Sequence, residues 1–358
     1  MRKGVKLFLP FNLVALMFFG LLAIFSATYG NRFSGLFYRQ LFWDALAFSV
    51  FLVVSRLSFR FWKAIATWLL LLSLLLLVIV LLLPPVSGSR RWIDFGVVSF
   101  QPSEVAKFVI ILFLAKIYSE SRKNFYIGVA ITGLLAFLIY KEPDLGMTMM
   151  ILGIWFFITF FSRRFDKWIL IVLIVGLVIL PLLLFFGLEE YQMNRILSFM
   201  NPEKYASSSA YNTVQAIRAI GSGGFTGKGL LLGVMNRYGY VPEDHTDFIF
   251  SVIGEELGFV GTLTLLMLYS LLMLNIWKAT KRAPDMFSYL VSAGIMITFF
   301  MHITENIGMN LGLMPVTGIP LPFVSYGGSS VMIFAAQLGM TYRLLAGNIE
   351  AKLISNEI

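Results

Sequence analysis

Apolar runs long enough to cross a bilayer recur along the whole chain, near 9–28, 40–57, 64–83, 102–119, 126–141, 146–162, 168–187, 248–277, 288–308 and 328–346. A hydrocarbon core about 30 Å thick needs roughly 20 helical residues, so each run predicts a membrane helix, ten in all. The runs at 126–141 and 146–162 are short, and they flank Lys141-Glu142-Pro143-Asp144-Leu145-Gly146, read as a tight turn dipping into the membrane. Polar and turn-forming residues collect between the runs. Longer loops fall at roughly 84–101, 188–247 and 309–327, and these hold nearly all the Gly-, Pro- and Ser-rich sequence. The expectation is an all-α polytopic membrane protein, one domain over 1–358, with a large loop over about 188–247 between helices seven and eight. Fixed-period self-similarity of the kind that marks many transporters is not found.

Composition agrees: 58% of residues are hydrophobic, 13% are charged and the mean hydropathy is +0.83. No soluble domain of this size is so apolar. The absence of cysteine excludes disulfide and thiolate-metal sites. Two histidines, His245 and His302, argue against a His-rich zinc site. The apolar start after Met1-Arg2-Lys3 has the flanks of a signal peptide, but no small-x-small cleavage site follows, so it reads as a retained first span.

The net charge of +9 is expected to mark a membrane face and its anionic lipids rather than nucleic acid. Ten spans put both termini on one side. That side carries seventeen Lys and Arg in short loops, against eleven spread over much longer loops on the other. Short basic loops face the cytoplasm, so both termini are expected inside and the long loops outside. Trp62, Trp168 and Trp277 sit beside the basic loops, as interfacial aromatics should.

Five constellations could carry chemistry, all in or beside the outer loops. In Gly88-Ser89-Arg90-Arg91-Trp92-Ile93-Asp94 and Gln101-Pro102-Ser103-Glu104-Val105-Ala106-Lys107, Pro102 starts a helix, and Glu104 and Lys107 share a face. Such an ionisable pair either lines a cavity or fixes helix packing. Glu142 and Asp144 could bind a cation, but capping of the next helix is favoured. The loop over 188–247 offers Arg195, Arg218 and Gly221-Ser222-Gly223-Gly224-Phe225-Thr226-Gly227-Lys228-Gly229. That run is not a Walker A motif, since Ser222 and Gly229 stand where Gly and Ser or Thr are required. Its amides and Lys228 could cradle a phosphate, or it could be a flexible re-entrant turn.

Asp247, at the end of the same loop, runs straight into an apolar helix, and a carboxylate there can take a proton or bind a divalent ion. Glu255 and Glu256 lie roughly 12–14 Å further along that helix, too far to share a reacting atom with it, and are expected to make packing hydrogen bonds. Gly254, Gly258 and Gly261 would permit close helix approach. His302 and Glu305, three apart and followed by Asn306 and Asn310, could form half a metal site, although interhelical hydrogen bonding is the favoured reading.

The stretches GSRRWIDFGVVSFQPSEVAKF, EPDLG, AIGSGGFTGKG, PEDHTDFIFSVIGEELGFVG and MPVTGIPLPFVSYGGSS together resemble the SEDS family (shape, elongation, division and sporulation) of RodA, FtsW and SpoVE, with wording nearer the RodA branch. The resemblance covers essentially the whole chain. It implies a peptidoglycan glycosyltransferase of the bacterial cytoplasmic membrane that polymerises lipid II at the outer face during elongation. It also implies a class B penicillin-binding protein as transpeptidase partner. It assigns the family's essential acid to Asp247 and its intramembrane pair to Glu104 and Lys107. The expected reaction is an inverting displacement with Asp247 as general base. The leaving pyrophosphate would be met by Lys107 with some of Arg90, Arg91, Arg195, Arg218 and Lys228, or by Mg2+ or Mn2+ bound at Asp247. A lipid II flippase and a scaffold recruiting the penicillin-binding protein are the alternatives.

Overall fold

The structure, a computed structural model, describes residues 2–29, 35–85, 90–94, 96, 99–121, 124–162 and 190–354. The span expected over 168–187 lies outside the described residues. The other nine fall on helices. These are α1 (Arg2–Thr28), α2 (Gly35–Arg56), α3 (Phe59–Leu82), α4 (Pro102–Glu120), α5 (Phe125–Lys141) and α6 (Leu145–Phe161), then, after the long loop, α10 (Ile249–Lys281), α11 (Met286–Asn310) and α12 (Gly328–Ile354). The long loop is itself helical in part, with α7 (Glu190–Met200), α8 (Tyr211–Ser222) and the single turn α9 (Val234–Arg237). Among the described residues, α1 from Phe8, α2, α3, α10 and α11 are long and apolar enough to cross a membrane, while α5 and α6 are shorter apolar helices. The chain is an all-α polytopic membrane protein.

The core centres on α4. Pro102 opens the helix at a position where its missing N–H costs nothing, and nearly every residue from Pro102 to Tyr118 is buried. Helices α3, α6 and α11 pack against it. A helix so enclosed by protein can hold Glu104 and Lys107 at membrane depth, where facing lipid would be prohibitive. Around this centre α2 packs on α12, α1 and α11 on α10, and α5 on α6. Just before α4, Ile93–Asp94 (β1) and Ser99–Phe100 (β2) form a two-stranded antiparallel ribbon, with Ile93 opposite Phe100. Two residues per strand are too few for a period-2 pattern to be read from sequence.

Two expectations change on inspection. Trp62 is not an interfacial anchor: it is 8% exposed and meets the Phe108 ring edge-on. Trp277 does lie at the surface, with the Lys281 ammonium over its ring. Gly254 does allow close approach, a methyl there lying 2.9 Å from Ile220 of α8, but Gly258 has a different job. Gly258 has φ 61 and ψ −157, a conformation essentially reserved for glycine, and it breaks α10 into two helical pieces. A break at this depth would orphan backbone groups in lipid. The loop glycines supply the partners: Lys228 and Gly229 donate their amides to the Glu255 and Glu256 carbonyls, and Phe259 and Val260 donate theirs to Gly224 and Phe225.

An added methyl at Gly258 would sit 2.3 Å from the Gly227 nitrogen in an already disfavoured conformation. Gly258→Ala is therefore expected to cost more than about 1–3 kcal/mol, the strain term alone. Gly221→Ala, with nothing within 4 Å of the new methyl, should be tolerated. Thermal unfolding of the two variants in detergent makes the comparison.

Candidate functional site

One face of α11 assembles the site. His302, Asn306 and Asn310 are four residues apart and fully buried, so they stand in a row on one side of the helix. Asn306 Nδ2 donates to the Asp247 carbonyl at 3.0 Å and to the Ile319 carbonyl at 2.8 Å. Asn310 Nδ2 donates to the same Asp247 carbonyl at 3.0 Å. One row of side chains thus holds both the segment before α10 and the loop before α12. The two segments also bond directly: Tyr326 N donates to the His245 carbonyl at 2.9 Å, and Ser325 Oγ to the Thr246 carbonyl at 2.6 Å.

His302 extends the network to the intramembrane pair. Its Nδ1 lies 3.0 Å from the Pro320 carbonyl, which can only accept, so Nδ1 carries the proton. Nε2 is then the acceptor, and Lys107 Nζ donates to it at 2.6 Å. Lys107 Nζ also donates to Glu104 Oε2 at 2.7 Å and lies 4.8 Å from the Phe334 ring centroid. Both members of the pair are sealed from solvent, with side chains 0% and 1% exposed. With carboxylate, imidazole and ring around it, the ammonium holds helices α4, α11 and α12 together rather than facing an open cavity.

Asp247 itself is partly exposed. A methyl built on Gly318, whose φ is 77, would lie 3.3 Å from Asp247 Oδ2, so the carboxylate abuts that glycine. Burial raises its pKa to about 6, the charge of Glu243 adding to the rise while Arg195 and His245 oppose it and Asp144 adds a smaller push. Arg195 reaches in from α7 and donates to the Val316 carbonyl at 3.0 Å.

The Glu142–Asp144 turn joins the site from α6, because Gly146 lies so close to Thr317 and Ile319 that a methyl there would be 2.9 Å from the Thr317 Cβ. Asp144 caps α6, accepting from Met147 N at 3.0 Å, and lies 3.6 Å from Arg91. Its charge still acts on Asp247. Arg91 donates to the Glu142 and Pro143 carbonyls and so braces the turn. Glu142 is the unexpected member. It is fully buried, neither carboxyl oxygen has a partner among the described residues, and burial together with the Asp144 charge pushes its pKa up to about 9 against the pull of Arg91.

The remaining cations are dispersed. Arg90 is exposed and donates to the Leu81 carbonyl, and Arg218 is exposed on α8. Lys228 pairs with Glu255 at 2.7 Å. The amides of Lys228 and Gly229 close the helix break instead of lying open to an anion. Glu255 also accepts from Met235 N and from both nitrogens of Asn236, while Glu256 accepts from Ser26, as packing groups would. Among the described residues no group of three or more His, Asp or Glu is gathered to hold a metal ion. The donor set does not fit a protein-built Mg2+ or Mn2+ cage, and His302 with Glu305 is not half of one: His302 is engaged by Lys107 and Pro320. Sequence reading did not find Gly318 or the partners of His302, because each acts on a residue from another segment; Glu243, four residues before Asp247, was given no role of its own.

A carboxyl neutral in the fold but ionised in the unfolded chain favours folding below its ordinary pKa. That contribution is lost as pH rises from about 4.5 towards 9. Melting temperatures of the wild type should therefore fall over that window. Glu142→Gln, neutral in both states, should flatten the decline and melt higher at pH 8.

Comparisons with known proteins agree with this architecture. The profile of the family described as cell cycle protein, FtsW/RodA/SpoVE, matches residues 7–348. Peptidoglycan glycosyltransferase MrdB of Escherichia coli K12 is 34% identical over 353 residues, covering 97% of this chain and 94% of that one. Stage V sporulation protein E of Bacillus subtilis is 33% identical over 366 residues, covering 95% and 96%. The crystal structure of Thermus thermophilus rod shape determining protein RodA superposes with a TM-score of 0.70 at 29% identity, covering 94% and 95% of the two chains. A chain from a peptidoglycan synthase complex, described as structurally coordinating polymerization and crosslinking, superposes with a TM-score of 0.82 at 30% identity, covering 94% and 96%. Matched over residues 7–348 by the family profile, the chain belongs to the FtsW/RodA/SpoVE family.

Proposed function

We propose that the chain is a peptidoglycan glycosyltransferase that polymerises lipid II at the outer face of the cytoplasmic membrane during elongation, with Asp247 as general base. The observation that carries this reading is the state of Asp247: a partly exposed carboxylate, fixed through its own backbone by two asparagines and raised to about pKa 6. A base poised near the working pH combines a large ionised fraction with useful proton affinity. Asp247 takes the proton of the acceptor GlcNAc 4-hydroxyl as that oxygen attacks the anomeric carbon of the donor MurNAc. The bond from that carbon to the pyrophosphate oxygen breaks, configuration inverts, and undecaprenyl pyrophosphate departs with the electron pair.

Arg195, already acting on Asp247, and Arg91 at the turn are assigned to the developing phosphate charge, with the exposed Arg90 and Arg218 further out. Lys107 is given a positioning part, because its three contacts hold it away from substrate. Asp247 could not serve fully both as base and as a ligand to Mg2+ or Mn2+, since the ion would draw on the electron pair the base uses. Held by its backbone with its carboxylate partly exposed, Asp247 is assigned the role of base. The basic short loops support placing both termini in the cytoplasm. The likeness to a chain of a peptidoglycan synthase complex supports a class B penicillin-binding protein as partner.

Asp247→Asn keeps the side-chain shape and removes the base. It is expected to lower polymerisation of purified lipid II by about 100-fold or more. Wild-type rates in this variant, or translocation of labelled lipid II in liposomes without glycan chains, would remove the proposal in favour of a non-catalytic or flippase role.

The base must be ionised, so activity should fall as pH drops through about 6. Removing the like charge with Glu243→Gln should move that acid limb to lower pH. Arg195→Gln should move it higher. Initial rates between pH 4.5 and 8 read both shifts.

A further inference from the structure

The end of the molecule remote from Asp247 holds a feature the reaction does not use. Helix α11 runs from Met286 to Asn310, roughly 37 Å at 1.5 Å per residue, so its first turn lies across the membrane from the asparagine row. There a cavity of about 560 Å³ opens between the start of α3, the start of α11 and the last part of α12, lined by Ser58, Phe59, Arg60, Asp285, Arg343 and Leu344 among others. A second cavity of about 270 Å³ adjoins it, sharing Phe59, Arg60 and Asp285 and adding Lys63 and Phe287.

The charges lining this space are unevenly satisfied. Asp285 turns both oxygens onto its own helix start, accepting from Ser288 N at 2.9 Å and Ser288 Oγ at 3.2 Å. Lys63 pairs with Glu120 at 3.3 Å. Arg60 and Arg343 have no hydrogen bond or ion pair among the described residues. Two guanidinium groups from different helices therefore border one cavity without an ion pair among the described residues, the Asp285 carboxylate in the same lining being turned onto Ser288. Guanidinium is the side-chain group best matched to phosphate oxygens. The apolar part of the wall matters equally. Phe59 and Leu344 line the same space, Phe61 is 44% exposed one turn into α3, and Trp277 and Lys281 mark the membrane boundary at the neighbouring end of α10. A soluble phosphate would gain nothing from that wall, whereas the glycerol and first methylenes of a lipid would cover it.

We propose that this cavity seats the phosphodiester of an anionic phospholipid in the leaflet opposite the catalytic site, held between Arg60 and Arg343. Basic pockets between membrane helices are suited to such headgroups. The site joins α3, α11 and α12, two of which reach Lys107 at their other ends, so an occupied seat would brace the bundle from the far side. The inference is independent of the reaction proposed above.

The test is native mass spectrometry of the purified full chain titrated with phosphatidylglycerol or phosphatidylcholine, with melting temperature recorded for each variant. The wild type is expected to retain one phosphatidylglycerol at concentrations where phosphatidylcholine adducts are negligible. Arg60→Gln/Arg343→Gln should weaken that retention tenfold or more. Arg56→Gln/Lys281→Gln removes the same charge on the same face outside the cavity and should change it less than twofold. Glycerol 3-phosphate at equal concentration should not compete. Equal losses in the two double variants would reduce the effect to general surface charge and overturn the site. So would absence of selectivity over phosphatidylcholine. Effective competition by glycerol 3-phosphate would overturn the lipid assignment in favour of a soluble phosphate. Should the Arg60→Gln/Arg343→Gln protein fail to fold, Arg343→Lys alone, which keeps charge and loses the bidentate fork, is expected to lower retention severalfold; unchanged retention there also counts against the proposal.

Discussion

The site depends on a row of amides that must find carbonyls. Asn306 and Asn310 project from α11 into the bundle interior, where an unpaired amide would cost about 1–3 kcal/mol in desolvation. The carbonyls they find belong to Asp247 and Ile319, in segments 72 residues apart by number. Satisfying the asparagines is therefore the same event as docking the two loops. The catalytic candidate is held by its backbone, which leaves its carboxylate free of the row and open towards Gly318. Restraint without chemical engagement is what a base needs, because a hydrogen bond to the carboxylate itself would lower its proton affinity.

His302 carries the same logic one turn deeper. Its imidazole is donor to the loop at Pro320 and acceptor from Lys107, so a single ring couples the loop to the buried ion pair. Breaking a buried pair by removing one partner is far costlier than the pair is stabilising. The Glu104–Lys107–His302 unit thus behaves as a lock: complete, it fixes α4, α11 and the loop before α12 relative to one another.

Much of the fold was legible because lipid imposes a coarse requirement on sequence. Apolar runs marked nine helices that the structure describes, and the dense basic loops marked one end of the bundle. Asp247 stood out because charge beside an apolar run is rare, and Glu104 with Lys107 because three residues is a helical neighbour distance. What was not legible involves partners far apart in sequence. The spacing of His302, Asn306 and Asn310 suits one helix face, a pattern passed over for the His302–Glu305 pair, and nothing local says that the carbonyls of residues 247, 319 and 320 lie opposite. Trp62 lies beside basic residues yet packs inward on Phe108, since position along the chain fixes depth and not facing. Gly258 was read as a small residue for close packing. Its backbone conformation, which depends on a loop some thirty residues earlier, makes it a break instead.

That break ties the stretch 224–229 to the stretch 255–260 by hydrogen bonds running in both directions. Their register is set by backbone groups, so a one-residue insertion or deletion on either side would shift every pairing, while side-chain exchange is harmless only away from Gly227 and Gly258, where an added methyl would meet backbone. The two stretches form one length-locked unit. Most membrane-protein loops are where chain length varies freely. Here the glycine-rich end of the long loop acts as part of the transmembrane frame.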